Sequence, residues 1–275
     1  MTVFSSEWLA LREPFDIAAR DDGLANLFLA QVAEVVQEDQ DAQAGPVVDL
    51  GAGAGSNISR LRSLAAAAGH QLSWRHVDND GDLLAVARER FSGDATVSFA
   101  QLDISLALED SLAGAVAVTC AALLDLVSED WINRLADHLA RQQLPLLAVL
   151  TYDGRMQWSL ADGADSTLAQ AFHRDMLSDQ GFGPALGPAA AFVLDEALRA
   201  RGAATQLRDS YWRIAASHSA MLTSMKASLS AAALRAASDI ERTAIVEWAV
   251  RRARQIEAGE VSFVVGHQEL LALWS

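Results

Sequence analysis

The sequence predicts an α/β protein built on one doubly wound sheet of seven strands, with flanking helices and a helical insertion before the last strand. Three observations predict it. The apolar run Val47-Val48-Asp49-Leu50 passes directly into the alternating glycines Gly51, Gly53 and Gly55, and Ile58, Leu61 and Leu64 then follow at helical spacing. Strand-sized segments afterwards alternate with amphipathic helices, the pattern of a doubly wound sheet. With 275 residues, 51% of them hydrophobic, the chain has material for one large core.

Each element has its own local reason. Phe4, Trp8, Leu11, Phe15 and Ala18 give an N-terminal helical stripe, which Pro14 is expected to break into a short helix and a second turn. Asp21 or Asp22 caps a helix carrying Leu24, Leu27, Phe28, Val32 and Val35, and a polar linker over 37–45 leads to the first strand. The second strand is expected over 71–77 and is closed by Asp78; a helix starting near Asp80 turns Leu83, Leu84, Ala87 and Phe91 inward. Strands follow over 96–100, 114–121 and 146–152. Ser128, Glu129 and Asp130 start a helix whose inner face is Trp131, Ile132, Leu135 and Leu139. Another helix over 189–200 ends at Arg201 and Gly202, and strands over 205–214 and 261–265 complete seven. The whole is expected as a single domain over 1–275: N-terminal helices in 1–45, a core from 46–214 and 260–275, and an insertion over 215–259. That insertion reads as two helices, with Leu222, Met225 and Leu229 on one and Ile245, Trp248 and Ile256 on the other, and serves as a cap or a homodimer surface.

The glycine turn carries the chemistry. Alternate glycines let the backbone leave a strand sharply and let a ligand lie against it. A dinucleotide fold places a third glycine three positions after the second, where this chain has Ser56. The run Asp49-Leu50-Gly51-Ala52-Gly53-Ala54-Gly55 instead resembles the first motif of class I S-adenosylmethionine-dependent methyltransferases. The resemblance implies a Rossmann-like methyltransferase sheet, S-adenosyl-L-methionine as cofactor and S-adenosyl-L-homocysteine as product. It implies that Asp49, Gly51, Ala52, Gly53 and Gly55 cradle the cofactor. Asp78, with Asn79 beside it, resembles the family's acceptor for the ribose hydroxyls, and Asp103, followed by Ile104, its acceptor for the adenine amino group. Each acid alone is more readily a solvated loop residue; their order on consecutive strand ends joins them.

Charge narrows the partner. Thirty-six acids against 21 bases give a net charge of −15, which repels phosphate backbones and disfavours nucleic acid. Arg251, Arg252 and Arg254 lie among acids on one helix and read as a solvated face. No run approaches the roughly 18 apolar residues that span a bilayer, residues 1–7 lack a basic start and apolar core, and the lone Cys120 rules out an internal disulfide framework. A cytoplasmic protein without a membrane partner is expected. The six histidines show no ligand spacing, so no metal is expected.

After the fourth strand the chain reads Ala121-Ala122-Leu123-Leu124-Asp125-Leu126-Val127, without the proline-containing turn of the family's members that act on exocyclic amines of bases or amides. It resembles the small-molecule branch, and Asp125 is the carboxylate expected near the sulfonium, or alternatively a loop acid ahead of the Ser128 helix. Connections longer than about 12 to 15 residues are usually functional or carry extra elements. The one over 153–187 is expected to hold a helix with Phe172, His173 and Met176, followed by a turn-rich run around Phe182, and to act as a mobile lid on the acceptor. Asp125, His173 and Asp153 are candidate proton acceptors, and Tyr152, Asp153 and Phe182 candidate contacts to a small-molecule acceptor. Two other functions remain open: a non-catalytic S-adenosylmethionine-binding partner protein, and an NAD-dependent oxidoreductase, which Ser56 and the absence of a Tyr-x-x-x-Lys pair disfavour.

Overall fold

The computed structural model describes residues 5–38 and 45–274. Phe4, the first residues read for a leader, and most of the polar linker lie outside the described residues.

Helices α1 (Ser6–Ala19) and α2 (Asp22–Glu38) precede β1 (Val47–Leu50) and α3 (Ser56–Ala67). Then come β2 (Trp74–Asp78), α4 (Gly81–Arg90), β3 (Val97–Gln101), the short α5 (Leu108–Ser111) and β4 (Ala117–Ala121). A 3-10 turn at Leu124–Leu126 leads into α6 (Glu129–Gln142), β5 (Leu146–Trp158) and α7 (Asp165–Met176). The chain ends with α8 (Ala190–Ala200), β6 (Ala204–Ile214), α9 (Ser219–Ala236), α10 (Asp239–Glu257) and β7 (Phe263–Leu273). One seven-stranded sheet results, in the order β3-β2-β1-β4-β5-β7-β6. Neighbours among β1 to β5 are parallel, and β7 runs antiparallel between β5 and β6.

Helices cover both faces, which is why β1 is buried along its whole length. Val48, Leu50, Val118 and Leu146 face α6 and α8, whereas Val47, Ala117 and Leu147 face α2 and α3. A third cluster joins the far ends of β5, β6 and β7 to α1, α7, α9 and α10 through Tyr152, Trp158, Trp212, Leu222, Ile245 and Phe263. Local caps match the sequence: Asp21 Oδ1 accepts from the N–H groups of Gly23 and Leu24, Asp80 caps α4 and Ser128 caps α6.

Four expectations are corrected. Pro14 does not break α1, which is continuous; the carbonyl it leaves unpaired belongs to exposed Ala10, while Leu11 and Phe15 keep the helix packed on the third cluster. The last strand runs to Leu273, well beyond 261–265, because His267 and Glu269, polar residues that break the apolar pattern, are buried in it. β5 continues past Tyr152 to Trp158 through two irregularities in its pairing with β7. Gly266 accommodates this crossing, since a Cβ there would lie 2.3 Å from Asp153 Oδ1. The segment 153–187 is therefore largely strand and packed helix, with Leu168 and Ala171 of α7 buried, and only the stretch after Met176 has the turn-rich character expected of a lid. Arg252 is the fourth. Its side chain is fully buried, 4.6 Å from the Trp158 ring centroid and 5.5 Å from that of Trp248, and it donates to Asp165, Gln255 and the Leu160 carbonyl.

No helix among the described residues is long and apolar enough to cross a membrane. Arg252→Ala removes the cation–π stack and the charged partner of Asp165, which keeps only Trp248 Nε1 and the Asp162 N–H, so it is expected to lower stability by about 3 kcal/mol in urea titration. A loss under about 1 kcal/mol would show that the stack is dispensable.

Candidate functional site

The strand order reverses between β1 and β4, and the crevice beyond their carboxyl ends is where open α/β sheets bind ligands. A pocket opens there. Gly51, Gly53 and Gly55 adopt φ of 60°, 54° and 85°, a left-handed region open to glycine at little cost. Three consecutive residues of β2 clamp this turn. His76 Nε2 lies 3.0 Å from the Gly53 carbonyl and donates to it, the Val77 carbonyl accepts from Ala52 N–H, and Asp78 Oδ2 accepts from Gly53 N–H at 2.7 Å. Burial, only partly opposed by the Gly53 bond, lowers the His76 pKa to about 4, so the ring is neutral and its Nε2 carries the proton. A Cβ on Gly51 would stand 3.3 Å from Leu123, and one on Gly53 3.3 Å from Leu9.

Gly51, Ala52 and Gly53 line the pocket with Asp78 and Asn79 from the end of β2 and Asp103 and Ile104 from the end of β3. Burial raises the Asp78 pKa against its hydrogen bonds from Asp80 and Gly53. Asp103 Oδ1 takes both the N–H and the hydroxyl of Ser105, and Ile104 turns its carbonyl to Trp131 Nε1 at 2.8 Å. The two remaining residues expected to cradle a cofactor do not reach the pocket wall. Gly55 serves packing, because a Cβ there would come 2.6 Å from the Phe91 ring. Asp49 stands one layer behind, accepting from Asn57 Nδ2 at 2.8 Å.

That layer is a buried polar relay. Asn57 Nδ2 also donates to Thr119 Oγ1, and Asn57 Oδ1 accepts from Arg20 Nη1 at 3.1 Å. Glu269 of β7 accepts from Asp21 N–H at the α1–α2 junction. Burial pushes both Asp49 and Glu269 up to about 7, a rise that the charge of Arg20 only moderates.

The other candidates divide. Asp125 is buried on the 3-10 turn between pocket-lining Leu123 and Leu126 but does not itself line the pocket; its Oδ1 has no partner, and burial raises its pKa to about 6. Phe182 lines the pocket, edge-on to Trp131 at 5.8 Å, which places it at the Ile104 end. His173, Tyr152 and Asp153 are not brought to this wall. The Tyr152 hydroxyl is 2.9 Å from His173 Nε2 within the third core cluster, and Asp153 is bound by Arg155.

Helix α1 supplies what the sequence did not signal. Leu9, Arg12, Asp16 and Arg20 line the pocket, and Asn57 joins them from α3. The spacing Arg12, Asp16, Arg20 puts the charges on one helix face, but nothing local shows that this face turns onto the ends of distant strands.

No family model matches the chain, and no curated relative matches it. Solved structures do. Phosphoethanolamine N-methyltransferase 2 of Haemonchus contortus, in complex with S-adenosyl-L-methionine, is 15% identical with a TM-score of 0.43, covering 90% of this chain and 52% of that one. This chain thus spans about half of its length. Geranyl diphosphate C-methyltransferase from Streptomyces coelicolor, in complex with geranyl diphosphate and S-adenosyl-L-homocysteine, is 13% identical with a TM-score of 0.40 over 89% of this chain and 79% of that one. A cyclopropane synthase from Mycobacterium tuberculosis gives 10%, 0.41, 88% and 83%. At these scores the likenesses carry no argument about chemistry, which rests on the pocket itself.

Asp49 and Glu269 titrate higher in the folded chain than in the unfolded one. Between about pH 4 and 7 the folded state therefore holds extra protons on these two groups, and their contribution to stability falls as the pH rises through that window, opposite in sign to that of His76 and His267, which burial keeps neutral. Glu269→Gln is expected to make that fall shallower, each titrating group contributing up to about 1.4 kcal/mol per pH unit. Urea titrations at intervals from pH 4.5 to 8 measure it; an unchanged slope would mean that Glu269 is ionised throughout.

Proposed function

We propose that this chain is a class I S-adenosylmethionine-dependent methyltransferase acting on a small-molecule acceptor. The observation that carries the reading is the convergence on one pocket of the β1 glycine turn, Asp78 and Asp103, from three neighbouring strands taken in order. The residues fit such a donor. Side-chain-free backbone at Gly51 and Gly53 leaves room for its amino-acid part, Asp78 for its ribose diol, and Asp103 with Ile104 and Phe182 for its base. Arg20, whose Nη2 makes no hydrogen bond among the described residues while Nη1 holds Asn57, suits its carboxylate. A dinucleotide is a poorer fit, since Ser56 replaces the third glycine and β7 runs antiparallel inside what would be an all-parallel edge.

S-adenosyl-L-methionine, when bound, supplies a methyl group already activated on a sulfonium. The chain's task is then to hold the acceptor in line, and orientation of this kind is worth about 7 to 11 kcal/mol. Leu9 of α1 and Leu123 beyond β4 pack beside Gly53 and Gly51 and give that end of the pocket an apolar wall. Asp125, buried behind Leu123 and Leu126 with an unpartnered Oδ1, is the carboxylate assigned to the acceptor side. His173, Tyr152 and Asp153 have no part in this reading, and Phe182 moves from the acceptor to the base of the donor.

Calorimetry with S-adenosyl-L-homocysteine and with NAD separates the two cofactor readings, and release of S-adenosyl-L-homocysteine with an acceptor separates an enzyme from a binding partner. Asp78→Ala is expected to weaken S-adenosyl-L-methionine and S-adenosyl-L-homocysteine by a similar factor, about 10- to 100-fold, because both carry the same diol. Phe182→Ala is expected to weaken both as well. Unchanged affinities in the Asp78 variant would place the ribose elsewhere.

A further inference from the structure

We infer that the acceptor is an anionic small molecule whose oxyanion, a carboxylate or a phosphate, is taken by the Nη1 end of Arg12. The inference rests on the donor reading of the same pocket and deepens it.

Arg12 is held side-on. Its Nε and Nη2 donate to Asp16 at 2.9 and 3.2 Å, and its guanidinium lies 5.1 Å from the Trp212 ring centroid. Asp16 Oδ1 is further occupied by Trp212 Nε1 at 3.1 Å, so that carboxylate is fully used. The guanidinium is thereby fixed in plane, yet Nη1 makes no hydrogen bond among the described residues. The side chain lines the pocket and is 12% exposed, and Nη1 is not among the buried unpartnered atoms, so it meets the water of the pocket, which a ligand oxyanion would replace.

None of the other acids around the pocket, among the described residues, is paired with Arg12, and each has protein donors of its own. Glu13 takes Arg90 at 2.7 and 2.8 Å, Asp78 takes the N–H groups of Gly53 and Asp80, and Asp80 takes those of Asp82 and Leu83. Among the described residues, the uncommitted donors that line the pocket include the free ends of two cationic side chains, Arg12 and Arg20. The donor brings one carboxylate, and Arg20, tied to Asn57 just beyond the glycine turn, stands nearest in connectivity to where it belongs. Arg12 lies eight residues earlier on the same helix face, about 12 Å along the axis, and calls for a second anion. Asp125 feels the charge of Arg12 and keeps its own Oδ1 unpartnered. Asp125 itself stands behind Leu123 and Leu126, which line the wall. The overall charge of −15 makes this local cationic end a selective feature rather than a general attraction.

The test uses fluorine NMR of trifluoroacetate in chloride-free buffer, with the protein saturated by S-adenosyl-L-homocysteine so that the donor's own carboxylate site is filled. Wild type is expected to broaden the probe signal. Displacement by acetate at lower concentration than inorganic phosphate assigns a carboxylate, and the reverse order a phosphate. Arg12→Gln is expected to bind the probe about 10- to 100-fold more weakly while keeping its S-adenosyl-L-homocysteine affinity. Should Arg12→Gln fail to fold, Arg12→Lys retains a charge for Asp16 but withdraws the Nη1 end, and it too must lose the probe. Absence of broadening in the saturated wild type, or equal broadening in a folded Arg12 variant, overturns the proposal. Failure of S-adenosyl-L-homocysteine to bind wild type is instead a failure of the donor reading, and Arg12-dependence of the probe on the ligand-free protein still decides the anion site.

Discussion

The clamp on Gly53 is the constraint from which the pocket is built. Its N–H is held by Asp78 and its carbonyl by His76, two residues of β2 that flank Val77, whose own carbonyl fixes Ala52. A glycine turn without such ties would sample many conformations, and glycine loses the most backbone entropy on ordering. The same Asp78 that braces the turn faces the pocket, so preorganisation of the turn and presentation of the carboxylate are one arrangement. Parallel pairing of β1 with β2 over Val47–Trp74 to Leu50–Val77 sets the register that makes both contacts possible.

A second constraint brings α1 across the opening. Glu269 holds the α1–α2 junction through Asp21, Arg20 reaches from that junction to Asn57, and Trp212 pins Asp16 further up the helix. Burial of so many ionisable groups is unfavourable unless each is paired, and the raised pKa values of Asp49 and Glu269 are the residue of that cost. What the network supplies is position. A helix that is distant in sequence from the strand ends is fixed over them, with its cationic side chains turned into the cavity.

Features whose cause is local were legible in the sequence. The glycine turn, Asp78 and Asp103 follow from spacing at strand ends, and the caps Asp80 and Ser128 from residue type before an apolar stripe. Features whose cause is tertiary were not. Arg252 reads as one of several solvated arginines, yet it is the one that two tryptophans from different elements enclose. His267 and Glu269 end the apolar alternation of β7 at the point where the strand becomes most buried, because their partners come from α1, α2 and β6. His173 beside Phe172 has the composition of a reactive site, but β5 continues under it and supplies Tyr152 as a packing partner. Phe182 shows the intermediate case: its presence at the pocket follows from a turn-rich segment, whereas which end it reaches depends on Trp131.

The most direct measurement is a crystal structure of the protein with S-adenosyl-L-homocysteine bound. The account predicts the ribose hydroxyls within hydrogen-bond distance of the Asp78 carboxylate, the base beside Asp103 and Ile104, and the carboxylate of the ligand at Arg20. Ligand density outside the crevice between β1 and β4, or a ribose that leaves Asp78 bonded to the protein backbone alone, would contradict it.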